Sequence, residues 1–176
     1  LTAAATLHSA QGADLFVSGH SGAVLRVNIE TGLSTWVNAC GGPVQSMAQV
    51  GGDMLLGDTS GNVYRVNLAD DSIGYAFTVD NSDNTAMAAS GSDVFLSNSE
   101  GTIRRLNAAN GNLIQTLHSP NPVNAMIIAD DFIYVAGPTG DVFRANLAGG
   151  TFQYFACACL GVINSLAVTT DALIAS

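Results

Sequence analysis

Basic residues in this chain are few and regularly spaced. All five are arginines, and four of them, Arg26, Arg65, Arg105 and Arg144, occupy one position of a repeated segment. Arginines spaced in this way could form a ring that binds an anion, or could pair with acids inside the fold. We favour pairing, because a feature that every repeat needs recurs in every repeat, whereas a functional site usually interrupts the repetition.

The repeats also offer an acidic partner for each of these arginines. An aspartate opens the apolar segment before the arginine in three repeats, and in the fourth the acid is displaced by one residue. The expected partners, from the same or the next repeat, are Asp14, Asp53, Asp93 and Asp131. Since a partly buried guanidinium needs such a partner, the sequence predicts a repeated arginine–acid or arginine–carbonyl clamp between neighbouring repeats.

An asparagine lies two residues after each arginine and just before a turn. The four asparagines are Asn28, Asn67, Asn107 and Asn146. Asparagine side chains commonly accept hydrogen bonds from the backbone of the turn that follows them. We therefore expect a structural role for this position.

Residues 80–84 form a polar loop that has no counterpart in the other repeats. All five of its side chains carry oxygen, and such ligands at close spacing could hold calcium. The loop lacks the glycine and the distal glutamate of a helix-loop-helix calcium site. A solvated turn is the favoured interpretation, and a calcium site at Asp80 and Asp83 is the alternative. We expect no other cofactor and no other metal site.

The remaining residues with catalytic potential do not form a recognisable constellation. The three histidines lie at different repeat positions, and the chain has no nucleophile elbow, zinc-protease motif or phosphate loop. The three cysteines, Cys40, Cys157 and Cys159, are expected to be small buried apolar residues. A disulfide between Cys40 and one of the other two is the alternative. We expect no catalytic residues.

The elements that hold these residues are set by a repeat of about 40 residues. Gly22, Gly61, Gly101 and Gly140 begin four copies of one segment, with steps of 39, 40 and 39 residues. Each repeat of about 40 residues contains four short strand-like segments joined by turns that carry glycine. This is the pattern of the four-stranded antiparallel blades of an all-β propeller. The predicted blades span residues 5–40, 44–80, 84–119, 123–157 and, in part, 162–176.

The repeated segment Gly-x-Val-x-Arg-Val-Asn-Leu resembles the third strand and turn of WD40-like blades, with Val-Asn in place of Trp-Asp. The first copy, with Trp36 four residues beyond Gly32, is also similar to quinoprotein (PQQ-like) repeats. The resemblance implies a β-propeller. It does not carry over quinone-dependent catalysis, because no quinone-binding or metal-ligand cluster is visible and Trp36 has no tryptophan counterpart in the other copies.

The spacing also predicts that about four and a half blades are present. The period places the next glycine and arginine strand after Ser176. We therefore expect this sequence to be part of a larger propeller, completed by further blades of the same or another chain.

Composition limits the classes of partner. The chain has 14 acidic residues and no lysine, for a formal net charge of -9. Nucleic-acid binding needs clustered basic residues on an exposed face, so we expect no nucleic-acid partner. Apolar stretches are far shorter than the roughly 18 residues of a spanning helix, so we expect no membrane insertion.

Acidic, lysine-free, Gly- and Asn-rich β-repeats are typical of exported bacterial proteins, which favours an extracellular or periplasmic location.

The regular repeat without a catalytic constellation predicts a non-catalytic propeller that binds a protein or acts as a structural scaffold. Two alternatives belong to other classes. The chain could be a fragment of a quinoprotein-like oxidoreductase whose active site lies elsewhere, or a surface module that binds calcium or glycans. We favour a non-enzymatic role.

Overall fold

The structure is a computed structural model, which describes residues 3–9, 12–19, 22–38, 41–79, 83–157, 161–169 and 172–176. All regular secondary structure in these ranges is β-strand. No helix in the described ranges is long and apolar enough to cross a membrane.

The described strands form five antiparallel sheets, and in each sheet the strand order follows the chain. The first sheet contains β1 (Ala3–Ser9), β2 (Gly12–Ser18), β3 (Ala23–Asn28) and β4 (Ser34–Asn38). The second contains β5 (Val44–Val50), β6 (Asp53–Asp58), β7 (Asn62–Asn67) and β8 (Ile73–Thr78). The third contains β9 (Ala86–Ser90), β10 (Asp93–Ser97), β11 (Thr102–Asn107) and β12 (Leu113–His118).

The fourth sheet contains β13 (Ala125–Ala129), β14 (Phe132–Ala136), β15 (Asp141–Asn146) and β16 (Gln153–Cys157). The fifth is the hairpin of β17 (Leu166–Val168) and β18 (Leu173–Ala175). These sheets confirm the prediction of an all-β fold built from four-stranded antiparallel blades.

Two predicted strands begin later than expected. The segment from Val123 becomes a strand only at Ala125, and the segment from Val162 only at Leu166. Pro122 has no N–H group to donate to a ladder, which disfavours an earlier start for β13. Val123 nevertheless lies in the core, since its side chain is buried.

The chain divides into two compact units, each described by itself. Unit one comprises Leu1–Asn84 with Ala109–Gly111, and unit two comprises Thr85–Ala108 with Asn112–Ser176. In unit one, apolar side chains of the first two sheets form one core: Phe16, Val24, Val37, Val44, Met47, Met54, Leu56 and Val66. Burying such a side chain stabilises the fold by about 1.5–3 kcal/mol relative to leaving it in water.

Unit two has two apolar cores. The larger joins the third and fourth sheets and contains Ala86, Ala88, Phe95, Ile103, Leu117, Val123, Met126, Ile133, Val135 and Ala145. The smaller holds the β17–β18 hairpin against the fourth sheet, where Leu166 and Leu173 pack on a cluster formed by Ala136, Val142 and Ile163. Within each unit, neighbouring sheets are thus held together by apolar side chains on their facing surfaces.

In the second, third and fourth sheets the first two strands are largely buried and the fourth strand is largely exposed. In unit one β1 packs beside β5, and in unit two β9 packs beside β13 and β13 beside β17. The fourth strands are outer edges, and they expose large side chains: Trp36 at 66%, Tyr75 at 62% and Tyr154 at 61%. Neighbouring blades therefore do not cover these large side chains of the fourth strands.

The repeated glycines take the backbone conformation that the hairpin turn requires. Gly22, Gly61, Gly101 and Gly140 have φ between 73° and 82°, a region that side-chain-bearing residues avoid. At two of them a side chain would also strike backbone. A Cβ atom at Gly101 would lie 2.7 Å from the carbonyl oxygen of Asn121, and one at Gly140 would lie 2.7 Å from that of Gly161.

Candidate functional site

The repeated arginines lie on the third strand of each sheet, beside the second strand. Register places each arginine opposite a large apolar residue: Arg26 opposite Phe16, Arg65 opposite Leu55, Arg105 opposite Phe95 and Arg144 opposite Tyr134. In the first three sheets, the asparagine two residues later is opposite an aspartate of the second strand. Arginine and aspartate therefore lie two positions apart on the same face of the sheet, within reach of each other.

Arg26 has the largest set of partners. Its Nε and Nη2 atoms donate to Oδ2 of Asp14 at 3.0 and 2.7 Å. Its Nη1 atom donates to the carbonyl oxygen of Leu68 at 3.0 Å and to Oδ1 of Asp71 at 2.6 Å, both in the turn between β7 and β8. Burial lowers the pKa of Arg26, but the hydrogen bonds and charges of Asp14 and Asp71 outweigh this, so the pKa is raised.

A similar arrangement recurs in the next two sheets. Arg65 Nη1 lies 3.0 Å from Oδ2 of Asp53. In unit two, Arg105 donates from Nε to Oδ2 of Asp93 at 2.7 Å and from Nη1 to the carbonyl oxygen of Leu147 at 2.8 Å. For Arg26 and Arg105 the structure thus brings together an arginine, the acid of its own sheet and a turn of the following sheet.

Removing one side of this clamp is expected to destabilise the protein. Asp93→Ala leaves the part-buried guanidinium of Arg105 without its carboxylate, and we expect a coupling of about 1–2 kcal/mol between the two, above the value for exposed pairs and below that for buried ones. Urea unfolding of both single alanine variants and the double variant measures it. Asp131→Ala is the matched control and should change the free energy of unfolding by less than about 0.5 kcal/mol. A coupling near zero would contradict the clamp.

Arg144 departs from the pattern. Phe132, and not an acid, stands opposite Asn146 in the fourth sheet, and Asp131 is exposed. The guanidinium Cζ atom of Arg144 lies 4.8 Å from the ring centre of Phe132 and 4.9 Å from that of Phe155. The predicted pair of Asp131 and Arg144 is not present among the described residues. The reason is that Asp131 lies one residue before the strand position that faces the arginine.

The repeated asparagines lie at the turns after the third strands. Asn28 Oδ1 accepts from the Thr31 amide at 2.9 Å, and Asn67 Oδ1 accepts from the Ala69 amide at 2.8 Å. In unit two, Asn146 Oδ1 accepts from the Ala148 amide at 2.8 Å. The amide of Asn107 donates to the carbonyl oxygen of Asn112 across the corresponding turn. These contacts are local and close the turn between the third and fourth strands.

Sequence reasoning missed a second polar turn. The side chain of Asp58 is buried, and its Oδ1 atom accepts from the amides of Ser60 and Asn62, both at 2.8 Å. Asn98 holds the corresponding turn of the third sheet through the amides of Glu100 and Thr102. The sequence did contain a signal for these turns, since each of the two residues lies three positions before a turn glycine.

We expect Asp58→Ala to destabilise the protein by about 2–3 kcal/mol, because three part-buried hydrogen bonds lose their acceptor. Asp58→Asn keeps an Oδ1 acceptor of the kind that Asn98 provides. It should lower the free energy of unfolding by only about 1 kcal/mol. Thermal unfolding of the two variants at the same pH compares them. Equal losses would show that the buried charge, and not the turn, accounts for the effect.

The calcium candidate is only partly within the described residues. Asp80 lies outside them, and Asp83 is half-buried. In the described part of the chain, no group of three or more His, Cys, Asp or Glu side chains could hold a metal ion. The calcium site stays a prediction.

Cys157 corrects one expectation. It is exposed at the end of β16 and disulfide-bonded, so it is not a small buried apolar residue. Cys40 and Cys159 lie outside the described residues.

A cavity of about 220 Å³ lies beside the Arg26 clamp. It is lined by Asp14, Arg26, Asn28, Leu33, Thr35 and Asp71. The three charged groups that line it bind one another, since Arg26 donates to both Asp14 and Asp71. The chemistry of this site is that of a structural ion-pair network.

Comparisons with known proteins show what this architecture is similar to. No protein-family model matches the chain, and no curated protein sequence matches it. Solved structures do match. A chain of the structure described as "Crystal Structure of Mitotic Checkpoint Complex" aligns with a TM-score of 0.77 and 14% identity over 97% of this chain and 56% of that chain.

Two further structures give similar values. "Structure of U3-55K" aligns with a TM-score of 0.75 and 15% identity over 93% of this chain and 57% of that chain. "Crystal structure of RRP9 WD40 repeats" aligns with a TM-score of 0.74 and 16% identity over 93% of this chain and 56% of that chain. The chain therefore spans slightly more than half the length of these structures. The likeness confirms the resemblance to WD40-like propeller blades, and at this identity it shows the fold alone.

Proposed function

We propose that this protein is a non-catalytic interaction module, a β-propeller scaffold that binds another protein. The fold supports this role at a coarse level, because rigid blades present edges and turns for recognition rather than one fixed chemistry. The observation that carries the proposal is the exposure of large apolar side chains on the fourth strands. Aromatic residues are enriched at protein interfaces.

The exposed side chains occur in each unit. Unit one exposes Trp36 and Tyr75, and unit two exposes Leu113, Ile114, Tyr154 and Phe155. Singly exposed apolar residues are ordinary on protein surfaces, but their recurrence on the fourth strand of all four four-stranded sheets is favourable for contact with a partner. The repeated arginines of the first three sheets do not compete for this role, since they bind groups of the protein itself.

The location proposed from composition has one further support. Disulfides persist in oxidising compartments, and Cys157 is disulfide-bonded, which agrees with an extracellular or periplasmic protein. The two alternatives, a fragment of a quinoprotein-like oxidoreductase and a surface module that binds calcium or glycans, stay alternatives, because no contact in the described residues favours either of them.

Isolation of the tagged protein from its source cells at its native level tests the proposal. We expect a complex of defined stoichiometry, whose native mass exceeds that of the chain by that of a second protein. Trp36→Ser with Tyr75→Ser should weaken this complex at least about tenfold, because interface aromatics carry much of the binding energy. The thermal stability of the variant serves as the folding control. An isolated protein without any associated protein at native level would contradict the proposal.

A further inference from the structure

The outer edge of the first sheet differs from the outer edges of the other three four-stranded sheets. The ladders of β8, β12 and β16 each contain a register shift, with one extra residue in the outer strand. The ladder between β3 and β4 runs from the Ala23–Asn38 pair to the Val27–Ser34 pair without a shift. Bulges are one of the devices by which proteins prevent another strand from pairing with an edge. β4 therefore presents a regular edge on which a further strand can pair.

The hydrogen bonds of the hairpin identify the backbone groups at this edge. The Asn28 amide donates to the carbonyl oxygen of Leu33 at 2.8 Å, so the Leu33 carbonyl is directed toward β3. Residues of an antiparallel strand alternate between bonding to one side and to the other. Thr35 therefore also bonds to β3, whereas Ser34 and Trp36 direct their N–H and C=O groups to the outside. No strand of the described ranges pairs with β4 on that side.

An acidic cavity flanks the same strand. Leu33 and Thr35 line the cavity beside the Arg26 clamp, together with Asp14 and Asp71. The clamp is structural, and it contains two carboxylates but one guanidinium, so it carries an excess of one negative charge. This charge favours a cation as the group that enters the cavity from outside.

Two further acids strengthen the negative field around the cavity. Glu30 lies in the turn that leads into β4, and Asp70 adjoins Asp71 in the turn between β7 and β8. Hydrogen bonds from Ser72 lower the pKa of Asp70, so this acid is ionised at neutral pH.

The charges also decide between two possible occupants of the edge. A second copy that paired through its own β4 would bring these acids together without a counter-charge, because β4 has no basic residue and the chain has a formal net charge of -9. A basic segment of another protein complements the field.

We propose that β4 pairs with an extended segment of a partner protein that carries a lysine or arginine opposite Thr35. The proposal rests on the proposed function and deepens it, since it names the edge and the chemistry of the partner segment. A residue opposite Thr35 shares its face of the sheet, with Cβ atoms about 4.5–5.5 Å apart. Its side chain therefore reaches the cavity, where the carboxylate of Asp71 is 31% exposed. In strand addition of this kind, backbone hydrogen bonds give affinity and side-chain pockets give specificity.

A pair of short peptides tests the charge of the occupant. The blocked peptide acetyl-Thr-Val-Thr-Lys-Val-Thr-Val-amide has a central lysine among residues that favour strands, and the matched peptide has glutamate in its place. Titration of the lysine peptide into the full-length 15N-labelled protein should shift the backbone amide resonances of Ser34 and Trp36, with a dissociation constant on the order of 1 mM. The glutamate peptide should bind at least about tenfold more weakly, because it brings a like charge to Asp71.

Two variants test the assignment from the protein side. Ser34→Pro removes one N–H group of the open edge and leaves the bonds to β3 in place, so it should weaken the lysine peptide about tenfold. Asp71→Asn keeps an oxygen acceptor for Arg26, and asparagine tolerates the left-handed backbone of this position, with φ at 56°. It should weaken the lysine peptide about fivefold and leave the affinity of a glutamine-substituted peptide unchanged.

The matched control is Asp131→Asn, which changes an exposed acid of the other unit and should alter neither affinity. Thermal unfolding of every variant serves as the folding control. If Ser34→Pro does not fold, Asp71→Asn with the three peptides still decides whether the lysine faces this cavity.

Three results would overturn the proposal: equal affinity of the lysine and glutamate peptides, equal loss of the lysine and glutamine peptides in Asp71→Asn, or self-association that Ser34→Pro abolishes, which would assign the edge to a second copy. A native complex that persists in both variants would refute this edge as the contact and leave the proposed function intact. Charge-dependent peptide pairing at β4 without any native complex would support the edge and contradict the proposed function.

Discussion

Phe95→Ala is expected to lower the free energy of unfolding by about 3–5 kcal/mol, the usual loss when a buried phenylalanine becomes alanine. The ring is fully buried in the larger core of unit two, and Arg105 lies over it at 5.6 Å. The variant therefore loses apolar burial, leaves a cavity and removes a cation–π contact. Urea unfolding followed by fluorescence or circular dichroism measures the change.

The matched control is Leu113→Ala in the same sheet. Leu113 is 58% exposed on β12, so its truncation should cost less than about 0.5 kcal/mol. A loss below about 1 kcal/mol for Phe95→Ala would contradict the packing of the third sheet against the fourth. Equal losses for the two variants would contradict the decrease of burial from inner to outer strands.

Gly137→Ala is expected to lower the free energy of unfolding by about 3 kcal/mol, because the added methyl group would press against backbone that cannot move away without breaking other contacts. A Cβ atom at this position would lie 2.1 Å from the carbonyl oxygen of Pro122. The Gly137 carbonyl oxygen also accepts from the Ile163 amide at 3.0 Å. A shift of the Gly137 backbone would therefore disturb the contact between β14 and the segment that leads to β17.

Gly74→Ala provides the control for the glycine series. A Cβ atom at Gly74 meets nothing within 4 Å, and alanine in a strand is favoured over glycine by about 0.5 kcal/mol. We expect this variant to be unchanged or slightly more stable in thermal unfolding. If Gly137→Ala were equally well tolerated, the close approach to Pro122 would be wrong.

The arginines show how far a repeat pattern predicts a site. Asp14 and Arg26 are twelve residues apart, and the same spacing recurs at Asp53 with Arg65 and at Asp93 with Arg105. Two adjacent strands joined by a short hairpin bring residues at such spacing together wherever the alternation of faces agrees. Alignment of the copies was therefore sufficient to name the aspartates, and the structure shows that each pairs with the arginine of its own sheet.

The fourth copy shows where the same reasoning fails. Its acids are displaced by one residue, and because side chains alternate between faces, a shift of one residue moves a side chain away from the arginine. Phe132 takes the position opposite Asn146, and Phe155 approaches from β16. The contact with Phe155 depends on packing across the sheet, which a pattern within one strand does not contain.

The turn residues Asp58 and Asn98 were predictable in principle. Each stands three residues before a turn glycine, and asparagine and aspartate favour such positions. The role was missed because the second and fourth copies differ here, with Asp58 in one and Gly137 in the other. The structure shows that Gly137 serves a different constraint, the close approach of Pro122.

The sequence by itself determined the strand repeat, the blades and the arginine–aspartate pairs, because these depend on local spacing and on the alternation of faces along a strand. Tertiary structure alone decided which strands are exposed, since that depends on how sheets pack on one another. It also decided the surroundings of Arg144, where two rings from different strands replace an acid. The repeated arginine thus has a structural role in the three copies that keep its aspartate.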